Sequence, residues 1–520
     1  MRSLAIVGAG PRGSCVLERL AANASELLRG PLTIHVIDPH PPGGGRVWRM
    51  DQSPLMRLNS TAADVTLFLD ETVRCDGPIV PGPTLAEWTG LDPNEFPTRH
   101  EGNAYFTWFY ERAVAALPES VAVVTHAHQV VDLRDVDDMQ QLVFEDGSTL
   151  DVDVVALTLG HLDADPSGEH ERVADFAAKH DLTYLPPAYG ADVDLSEFEA
   201  GEDVLVRGMG LAFVDIQVLV TEARGGRFVD APDGGLSYLP SGREPILHVG
   251  SRRGVPYRAK PTYELQGPHL RGTRYFTRDA VEALLASKER VEFRRDVWPL
   301  IAKDIEWAAY HELFHAHPER VTMTWEEFDA AFEIDASIVE RAVPDPADRI
   351  DWDRLDRPLR GLTFDDDEDL QAHIRDHIRA DIARRADPHF SADVGAFNQF
   401  LVVFGVLPYV LGSPKLSARS IVDEFDDWWF GFFSYYASGP PPRRLEELLA
   451  LSEAGIVHFL PPGMRVELDE VNGRFVSGDI STSAMFDAVL QMPSVVATRV
   501  PLVAILAVRG EWTAQVVFEG

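Results

Sequence analysis

Two segments of the chain share one hydrophobic pattern, a short apolar run followed by a glycine turn and a helix-like stretch. The first is LAIVGAGPRG (residues 4–13) before 14–28, and the second is VLVRGMGLAF (204–213) before 214–223. Apolar runs without alternation are typical of strands buried on both faces of a parallel sheet. Because the two segments start 200 residues apart, the pattern predicts two separate α/β domains.

The first glycine turn has the spacing of a dinucleotide-binding fingerprint. Gly8, Gly10 and Gly13 fit G-x-G-x-x-G between a strand and a helix, where the glycines permit a tight turn, a close pyrophosphate and close helix packing. The next apolar run, residues 32–37, ends at Asp38, which can accept hydrogen bonds from ribose hydroxyls. The strand, helix and spaced acid together predict a bound dinucleotide.

The remaining pattern predicts an α/β fold with two Rossmann-like dinucleotide-binding domains and a mainly helical insertion. Residues 278–386 are charged and mostly helical in pattern, which indicates the insertion. The predicted ranges are 1–165 for the first part of the first dinucleotide-binding domain, 195–300 for the second dinucleotide-binding domain, 301–387 for the helical insertion or cap, and 388–520 for a return to the first domain.

Composition narrows the class of protein. With 47 basic and 83 acidic residues among 520, the formal charge is −36, and such an acidic balance argues against a nucleic-acid partner. Cys15 and Cys75 are the two cysteines, so a disulfide scaffold and a CxxC redox or zinc site are excluded. The longest apolar stretch, 397–412, is too short and interrupted to span a bilayer. We therefore expect a cytoplasmic protein without a membrane partner.

The loop PPGGGRVW at residues 41–48 follows the first predicted ribose acid. Gly44 and Gly45 have no side chains, so their backbone can approach a diphosphate or a flavin ring closely. Arg46 adds a cation, and Trp48 can pack against the flavin ring. The alternative is a surface loop with a tryptophan in the core.

Several blocks of the chain resemble one family. They are VGAGPRG, PPGGGRVW, LNSTAADVTLF, CDGPIVPGP, FPTRHEGNAYFTW, VVALTLGH, VRGMGLAFVD and GSRRGVPY. Together they resemble the two-dinucleotide flavoproteins related to flavin-dependent monooxygenases, and more closely the bacterial FAD/NAD(P)-binding proteins that N-oxygenate amino acids such as aspartate.

That resemblance implies roles for residues of the first half. It implies that Gly8, Gly10, Pro11, Gly13 and Asp38 hold the adenosine diphosphate of FAD, and that Gly44, Gly45, Arg46 and Trp48 lie along the diphosphate and flavin. Asn59 corresponds to the polar residue near the reactive flavin edge, which makes it the catalytic candidate. Gly160 matches the turn where the chain leaves the FAD domain.

The second fingerprint is less regular. Gly208 and Gly210 match, but Phe213 stands at the third glycine. The strand predicted at 246–249 is followed by Ser251, Arg252 and Arg253, where cations can pair with a 2′-phosphate. This favours NADPH over NADH, and the alternative is a solvated basic turn.

The pattern H-E-x-x-H at residues 311–315 is typical of zinc proteases, but two nucleotide folds already account for the chain, so we expect no metal. The resulting prediction is an FAD-dependent, NADPH-using monooxygenase that N-hydroxylates a small amino acid or amine with dioxygen, through a flavin C4a-(hydro)peroxide. Two alternatives remain, an NAD(P)H-dependent flavin reductase or dehydrogenase and a non-catalytic nucleotide-binding protein. The sequence leaves the oligomeric state open.

Overall fold

The computed structural model describes residues 2–70, 73, 75–166, 168–232, 234–490 and 494–512. They cluster into two compact units. The first unit contains the residues up to Glu197, Val218–Arg224 and the segment that begins at Val489. The second unit contains Phe198–Gln217 and Gly225–Ala488.

The elements before residue 198 are, in chain order, β1 (Arg2–Val7), α1 (Pro11–Leu27), β2 (Leu32–Ile37), α2 (Leu85–Thr89), α3 (Arg99–Ala115), β3 (Val121–His126), β4 (Val130–Val136), β5 (Met139–Phe144), β6 (Thr149–Val152), β7 (Val154–Leu157), α4 (Glu169–His180) and β8 (Thr183–Leu185).

The elements from residue 203 onward are β9 (Asp203–Arg207), α5 (Leu211–Val220), β10 (Arg227–Asp230), β11 (Leu236–Leu239), β12 (Ile246–Gly250), α6 (Arg278–Ser287), α7 (Trp298–Ala316), α8 (Trp325–Ile334), α9 (Ile338–Ala342), α10 (Trp352–Asp356), α11 (Asp367–Ala386), α12 (Ala392–Val402), α13 (Leu407–Leu411), α14 (Phe430–Ala437), α15 (Pro442–Glu453), β13 (Val457–Phe459), β14 (Glu467–Asp469), β15 (Arg474–Ser477), β16 (Ile480–Thr482), β17 (Ala484–Asp487) and α16 (Pro501–Val508). Two π-helical segments, Phe293–Val297 and Ser420–Trp429, lead into α7 and α14.

A parallel sheet in the order β3-β2-β1-β7 forms the centre of the first unit. This is the strand order of a Rossmann half, with the glycine-turn strand β1 in the middle. The antiparallel sheet β4-β5-β6 is inserted in the chain just before β7.

Consecutive residues of β1 point to opposite faces of that sheet, and each face has its own core. Ile6 packs in one cluster with Leu17 of α1 and Ala113 of α3. Ala5 and Val7 pack in another, with the β4-β5-β6 sheet and with α16. Because β1 is covered on both sides, its apolar run needs no polar alternation.

The second unit repeats this plan around the second fingerprint. Its strands β13, β12, β9 and β17 pair in that order and in parallel, again with the glycine-turn strand inside. An antiparallel sheet, β14-β15-β16, again directly precedes the last strand. Helices α6 to α15 are inserted between β12 and β13.

The fold class predicted from the sequence is confirmed, whereas the structure divides the chain differently from the predicted ranges. The inserted helices extend from Arg278 to Glu453, beyond the expected 301–387. Most of the predicted range 388–520 belongs to the second unit, because β13 and β17 complete its parallel sheet, and the chain joins the first unit only from Val489. Residues 513–520 lie outside the described residues.

Among the described residues, none of the helices is both long and apolar enough to cross a membrane.

Candidate cofactor-binding site

Two glycines of the first fingerprint are required by the fold itself. Gly8 adopts a φ of +104°, and a Cβ there would lie 2.3 Å from the carbonyl oxygen of Thr158. A Cβ at Gly13 would lie 2.1 Å from the carbonyl oxygen of Gly8. These glycines therefore let β7 and α1 pack against the turn.

Gly10 has a different environment. Its φ is −72°, and a Cβ there would meet Gly45 Cα at 3.6 Å as its nearest neighbour, an ordinary contact. Gly10 is also the N-cap of α1 and makes no side-chain capping bond, so amides of the first turn have no side-chain partner there. Uncapped amides at the positive end of a helix dipole suit a phosphate. The turn thus fits a dinucleotide at Gly10.

The glycine loop at residues 43–45 lies directly on this turn. The Gly43 N–H donates to the carbonyl of Ala9 at 2.7 Å. Gly45 has a φ of +57°, and a Cβ there would be 2.8 Å from Gly10 Cα. Gly44 is equally constrained, since its Cβ would lie 2.1 Å from the Trp48 carbonyl oxygen. Sequence reasoning assigned Gly44 and Gly45 but missed Gly43, although the run of three glycines was a signal for it.

Asp38 lies at the carboxyl end of β2, beside the same turn. Its Oδ2 accepts from the Ala9 N–H at 2.7 Å and its Oδ1 from the His40 N–H at 2.8 Å. A carboxylate has about four acceptor positions. Asp38 therefore retains acceptor capacity for a ribose hydroxyl while the backbone fixes its orientation.

Arg46, the predicted cation of the glycine loop, forms ion pairs with acidic side chains of the protein. Arg46 forms ion pairs with Asp163 at 2.6 Å and Asp192 at 3.3 Å. Partial burial disfavours the charge on Asp192, but the hydrogen bond from Arg49 and the charges of Arg49 and Arg46 outweigh it and lower its pKa. Arg46 therefore lies in an ion-pair network.

Trp48 packs on Phe106, with 5.6 Å between ring centroids, and belongs to the edge of an aromatic core cluster. Its carbonyl accepts from the side chain of Asn103 at 2.6 Å. Trp48 is thus partly buried at the edge of the core, and its place along the flavin stays a prediction. Asn103 carried no signal in the sequence.

The side chain of Asn59 and the space beside Gly160 make few contacts with other described residues. Asn59 is half-buried, and its side chain makes no hydrogen bond within the described part of the chain. Gly160 has a φ of +73°, and a Cβ there would have nothing within 4 Å. Thr158, two residues earlier, donates from its hydroxyl to the Gly8 carbonyl at 2.6 Å. The turn after β7 thus reaches the fingerprint through Thr158, which the sequence gave no reason to select.

The second fingerprint has the same backbone with a tyrosine beside it. Gly208 has a φ of +119°, and its N–H donates to the Gly250 carbonyl at 2.8 Å. A Cβ at Gly210 would lie 2.9 Å from the ring of Tyr257. Phe213, at the position of the third glycine, is 1% exposed and packs in the core.

The cations after β12 have unequal surroundings. Arg252 is exposed and pairs with Asp427 at 2.7 Å. Arg253 is buried, pairs with Asp356 at 2.5 Å and lies over the ring of Tyr435. Ser251 accepts the Gly254 N–H through its hydroxyl at 3.0 Å. Of the two arginines, Arg252 has its guanidinium closer to solvent.

The H-E-x-x-H residues lie on α7. Both oxygens of Glu312 accept from the Gly267 N–H, and one accepts from Gln266 at 2.7 Å. Burial, together with neighbouring His315, lowers the pKa of His311 to about 4. Within the described ranges no group of three or more His, Cys, Asp or Glu side chains could hold a metal ion.

The two units define a class of protein, one that binds two dinucleotides on two Rossmann-like folds. Residues 5–162 match a family model described as FAD-NAD(P)-binding. The chain is 36% identical to an L-aspartate N-monooxygenase (nitrosuccinate-forming) of Streptomyces davaonensis, over 90% of this chain and 78% of the relative.

Two further relatives carry equivalent names. The nitrosuccinic acid synthase of Aspergillus oryzae is 35% identical over 88% of this chain and 73% of its own length. An L-aspartate N-monooxygenase of Streptomyces cremeus is 34% identical over 91% and 77%. A solved structure of OTEMO with FAD and NADP is 14% identical over 94% of this chain and 70% of its own, with a TM-score of 0.36, a likeness too distant to extend the assignment.

The chain belongs to this family of flavoprotein N-monooxygenases. The predicted class, an FAD- and NAD(P)H-dependent monooxygenase with a small-molecule substrate and dioxygen, is confirmed.

Proposed function

We propose that this protein N-oxygenates L-aspartate, with FAD on the first unit and NADPH on the second. The observation that carries the proposal is the 36% identity over 90% of the chain to a nitrosuccinate-forming enzyme. Nitrosuccinate is aspartate whose amine nitrogen has been oxidised. The product of these relatives therefore identifies the amine nitrogen as the atom that receives oxygen. The bare turn at Gly10 supports a flavin dinucleotide on the first unit.

The first unit holds the flavin through backbone groups. The α1 amides after Gly10 donate to the diphosphate, Asp38 accepts from the ribose, and Gly45 keeps that approach free of side chains. Bound FAD supplies the hydride-accepting and oxygen-activating chemistry. The protein's part is to position the cofactor and the amine and to keep water away.

The second unit holds the pyridine nucleotide at Gly208 and Gly210. Arg252 is the cation that selects the 2′-phosphate, because it is the exposed member of the pair after β12. Arg253 serves the fold through its buried contact with Asp356. A guanidinium that exchanges Asp427 for a phosphate retains a charge-assisted partner.

Asn59 contributes at the reacting nitrogen. Its amide is half-buried and has no hydrogen-bond partner among the described residues, so its donor and acceptor groups are available to a ligand. We assign it to orienting the amine rather than to binding FAD.

The test measures NADPH oxidation, N-oxygenated product and hydrogen peroxide with L-aspartate, and with succinate as the matched acid without an amine. The proposal requires product from L-aspartate and none from succinate. Flavin reduction with peroxide as the sole product for every amine would favour the reductase alternative. A protein that binds both nucleotides without flavin reduction would favour the non-catalytic one.

A further inference from the structure

One short helix of the insertion is fastened to the turn that follows β12. Arg253, in that turn, donates from Nε to the carbonyl of Asp356 at 3.0 Å and from Nη2 to the Asp356 carboxylate at 2.5 Å. Asp356 is the last residue of α10, so its backbone and its side chain are both held at this point. Arg357, which caps the helix, therefore lies at the end of β12, although 105 residues separate it from Arg252 in the chain.

The end of β12 is the place where a Rossmann-like unit meets the ribose of a dinucleotide. β12 pairs in parallel with the glycine-turn strand β9, and the residues that follow this second strand face the ribose 2′ position. In the first unit Asp38 occupies that place, and its carboxylate suits a free hydroxyl. In the second unit residues 251–253 are Ser, Arg and Arg, so cations stand where the first unit has an acid.

The side chain of Arg357 reaches the same turn. Its Nη1 donates to the carbonyl of Arg252 at 3.3 Å, which is its one side-chain hydrogen bond to the described residues. Its Nε lies 3.5 Å from Asp356 Oδ2. That oxygen accepts from the Trp428 indole at 3.1 Å, and the other oxygen accepts from Arg253 at 2.5 Å. Arg357 is thus the most distant of three groups that share one carboxylate.

The charges around Arg357 are mostly of its own sign. Partial burial lowers its pKa, the Asp356 carboxylate opposes this shift, and the charges of Arg253, Arg252 and Arg360 add to it. A guanidinium has five N–H donors, and one of those on Arg357 is hydrogen-bonded. An anion at this point would offset the repulsion among the arginines and accept from the remaining donors.

Arg252 and Arg357 together suit a phosphate. The Arg252 side chain is 47% exposed, and its partner Asp427 is 65% exposed, so Arg252 can exchange this partner without leaving a buried acid unpaired. Arginine binds phosphate through two parallel hydrogen bonds and remains charged at every physiological pH. The group that a dinucleotide brings to the end of the second strand, beyond its ribose hydroxyls, is the 2′-phosphate of NADPH.

We propose that Arg357 binds the 2′-phosphate of NADPH together with Arg252, so that the helical insertion contributes to the choice of nucleotide. Both arginines belong to the second unit, so the site needs no residue from the first. The inference rests on the proposed function for the presence of a pyridine nucleotide.

The experiment titrates the FAD-loaded protein with adenosine 2′,5′-bisphosphate and with 5′-AMP, which differ by the 2′-phosphate alone. The wild type should bind the bisphosphate more tightly than 5′-AMP. Arg357→Met should weaken binding of the bisphosphate about tenfold or more, because charge-assisted hydrogen bonds to the 2′-phosphate are lost, and leave the affinity for 5′-AMP unchanged. Calorimetry measures both affinities without any turnover.

Two further variants separate this contact from charge and folding effects. Arg379→Met removes the same charge from the same unit, but Arg379 pairs at the surface with Asp376 and Glu453, so this variant should bind both nucleotides like the wild type. Arg357→Lys keeps the charge without the planar fork and should weaken binding of the bisphosphate by a smaller factor. If Arg357→Met does not fold, Arg357→Lys carries the test.

Three results would overturn the inference. They are an unchanged affinity for the bisphosphate in both Arg357 variants, an equal loss of affinity for the bisphosphate and 5′-AMP, and a wild type that binds the two nucleotides equally well. A wild type that binds neither nucleotide would refute the inference together with the NADPH part of the proposed function. Arg357-dependent binding of the bisphosphate in a protein that oxygenates no amine would refute the proposed function and leave the inference standing.

Discussion

Gly10→Ala should separate flavin binding from folding. Gly10 has a φ of −72°, which any residue adopts, and the added Cβ would meet Gly45 Cα at 3.6 Å, so the protein itself accommodates the methyl group. The same methyl group would stand where the diphosphate approaches the backbone. Losing one charge-assisted hydrogen bond costs about 1.5–3 kcal/mol, which corresponds to roughly a tenfold to hundredfold weaker FAD affinity.

Gly13→Ala is the matched control. Its Cβ would lie 2.1 Å from the Gly8 carbonyl oxygen, so β1 and α1 must move apart, at a cost of about 1–3 kcal/mol or more in the free energy of unfolding. FAD titration of the flavin-free proteins, followed by fluorescence, gives the affinities, and urea unfolding gives the stabilities. The reasoning fails if Gly10→Ala binds FAD like the wild type, or if it loses as much stability as Gly13→Ala.

Four further predictions concern single side chains. Arg252→Ala should reduce kcat/KM for NADPH about tenfold and leave kcat/KM for NADH nearly unchanged, and an equal loss for both nucleotides would contradict the specificity role. Arg253→Ala should lower the free energy of unfolding by about 1.5–3 kcal/mol, because it removes the charge-assisted hydrogen bond to Asp356 while Arg357 and Trp428 remain as partners of that carboxylate. Asn59→Ala should leave anaerobic flavin reduction by NADPH intact and raise the amount of hydrogen peroxide formed per NADPH consumed. An unchanged ratio of hydrogen peroxide to NADPH would show that Asn59 takes no part in the reaction. Glu244 is buried, but three backbone N–H groups and the Tyr238 hydroxyl lower its pKa from 4.5 to about 2. The ionised carboxylate therefore stabilises the fold above pH 4.5, and this stabilisation is lost as the pH falls towards 2. In urea unfolding, Glu244→Gln should be less stable than the wild type at neutral pH and lose less stability in acid, and parallel pH profiles of the two proteins would contradict this.

The parts of the site that depend on a short stretch of backbone could be predicted from the sequence. Gly8, Gly10 and Gly13 occupy one strand–turn–helix, and Asp38 ends the neighbouring strand, so their spacing in the chain fixes their spacing in space. The same holds for Gly208 and Gly210. The second Rossmann-like unit followed from that repeat.

The contacts that depend on distant segments could not be predicted. Arg253 is 103 residues from Asp356 in the chain, and no local pattern distinguishes it from Arg252. The strands β13 and β17 are three and four residues long and join a sheet whose first strand lies more than 240 residues earlier, so their periodicity carries too little signal. Arg357 likewise lies 105 residues from Arg252, and nothing in its charged surroundings distinguishes it from Arg354 or Arg360.

The central claim is oxygen transfer to the amine of L-aspartate, and mass spectrometry of the product formed under isotopically labelled dioxygen tests it most directly. The account predicts labelled oxygen on the nitrogen of the aspartate-derived product, with NADPH consumed only when FAD is bound. Unchanged L-aspartate together with labelled hydrogen peroxide as the sole oxygen product would contradict it.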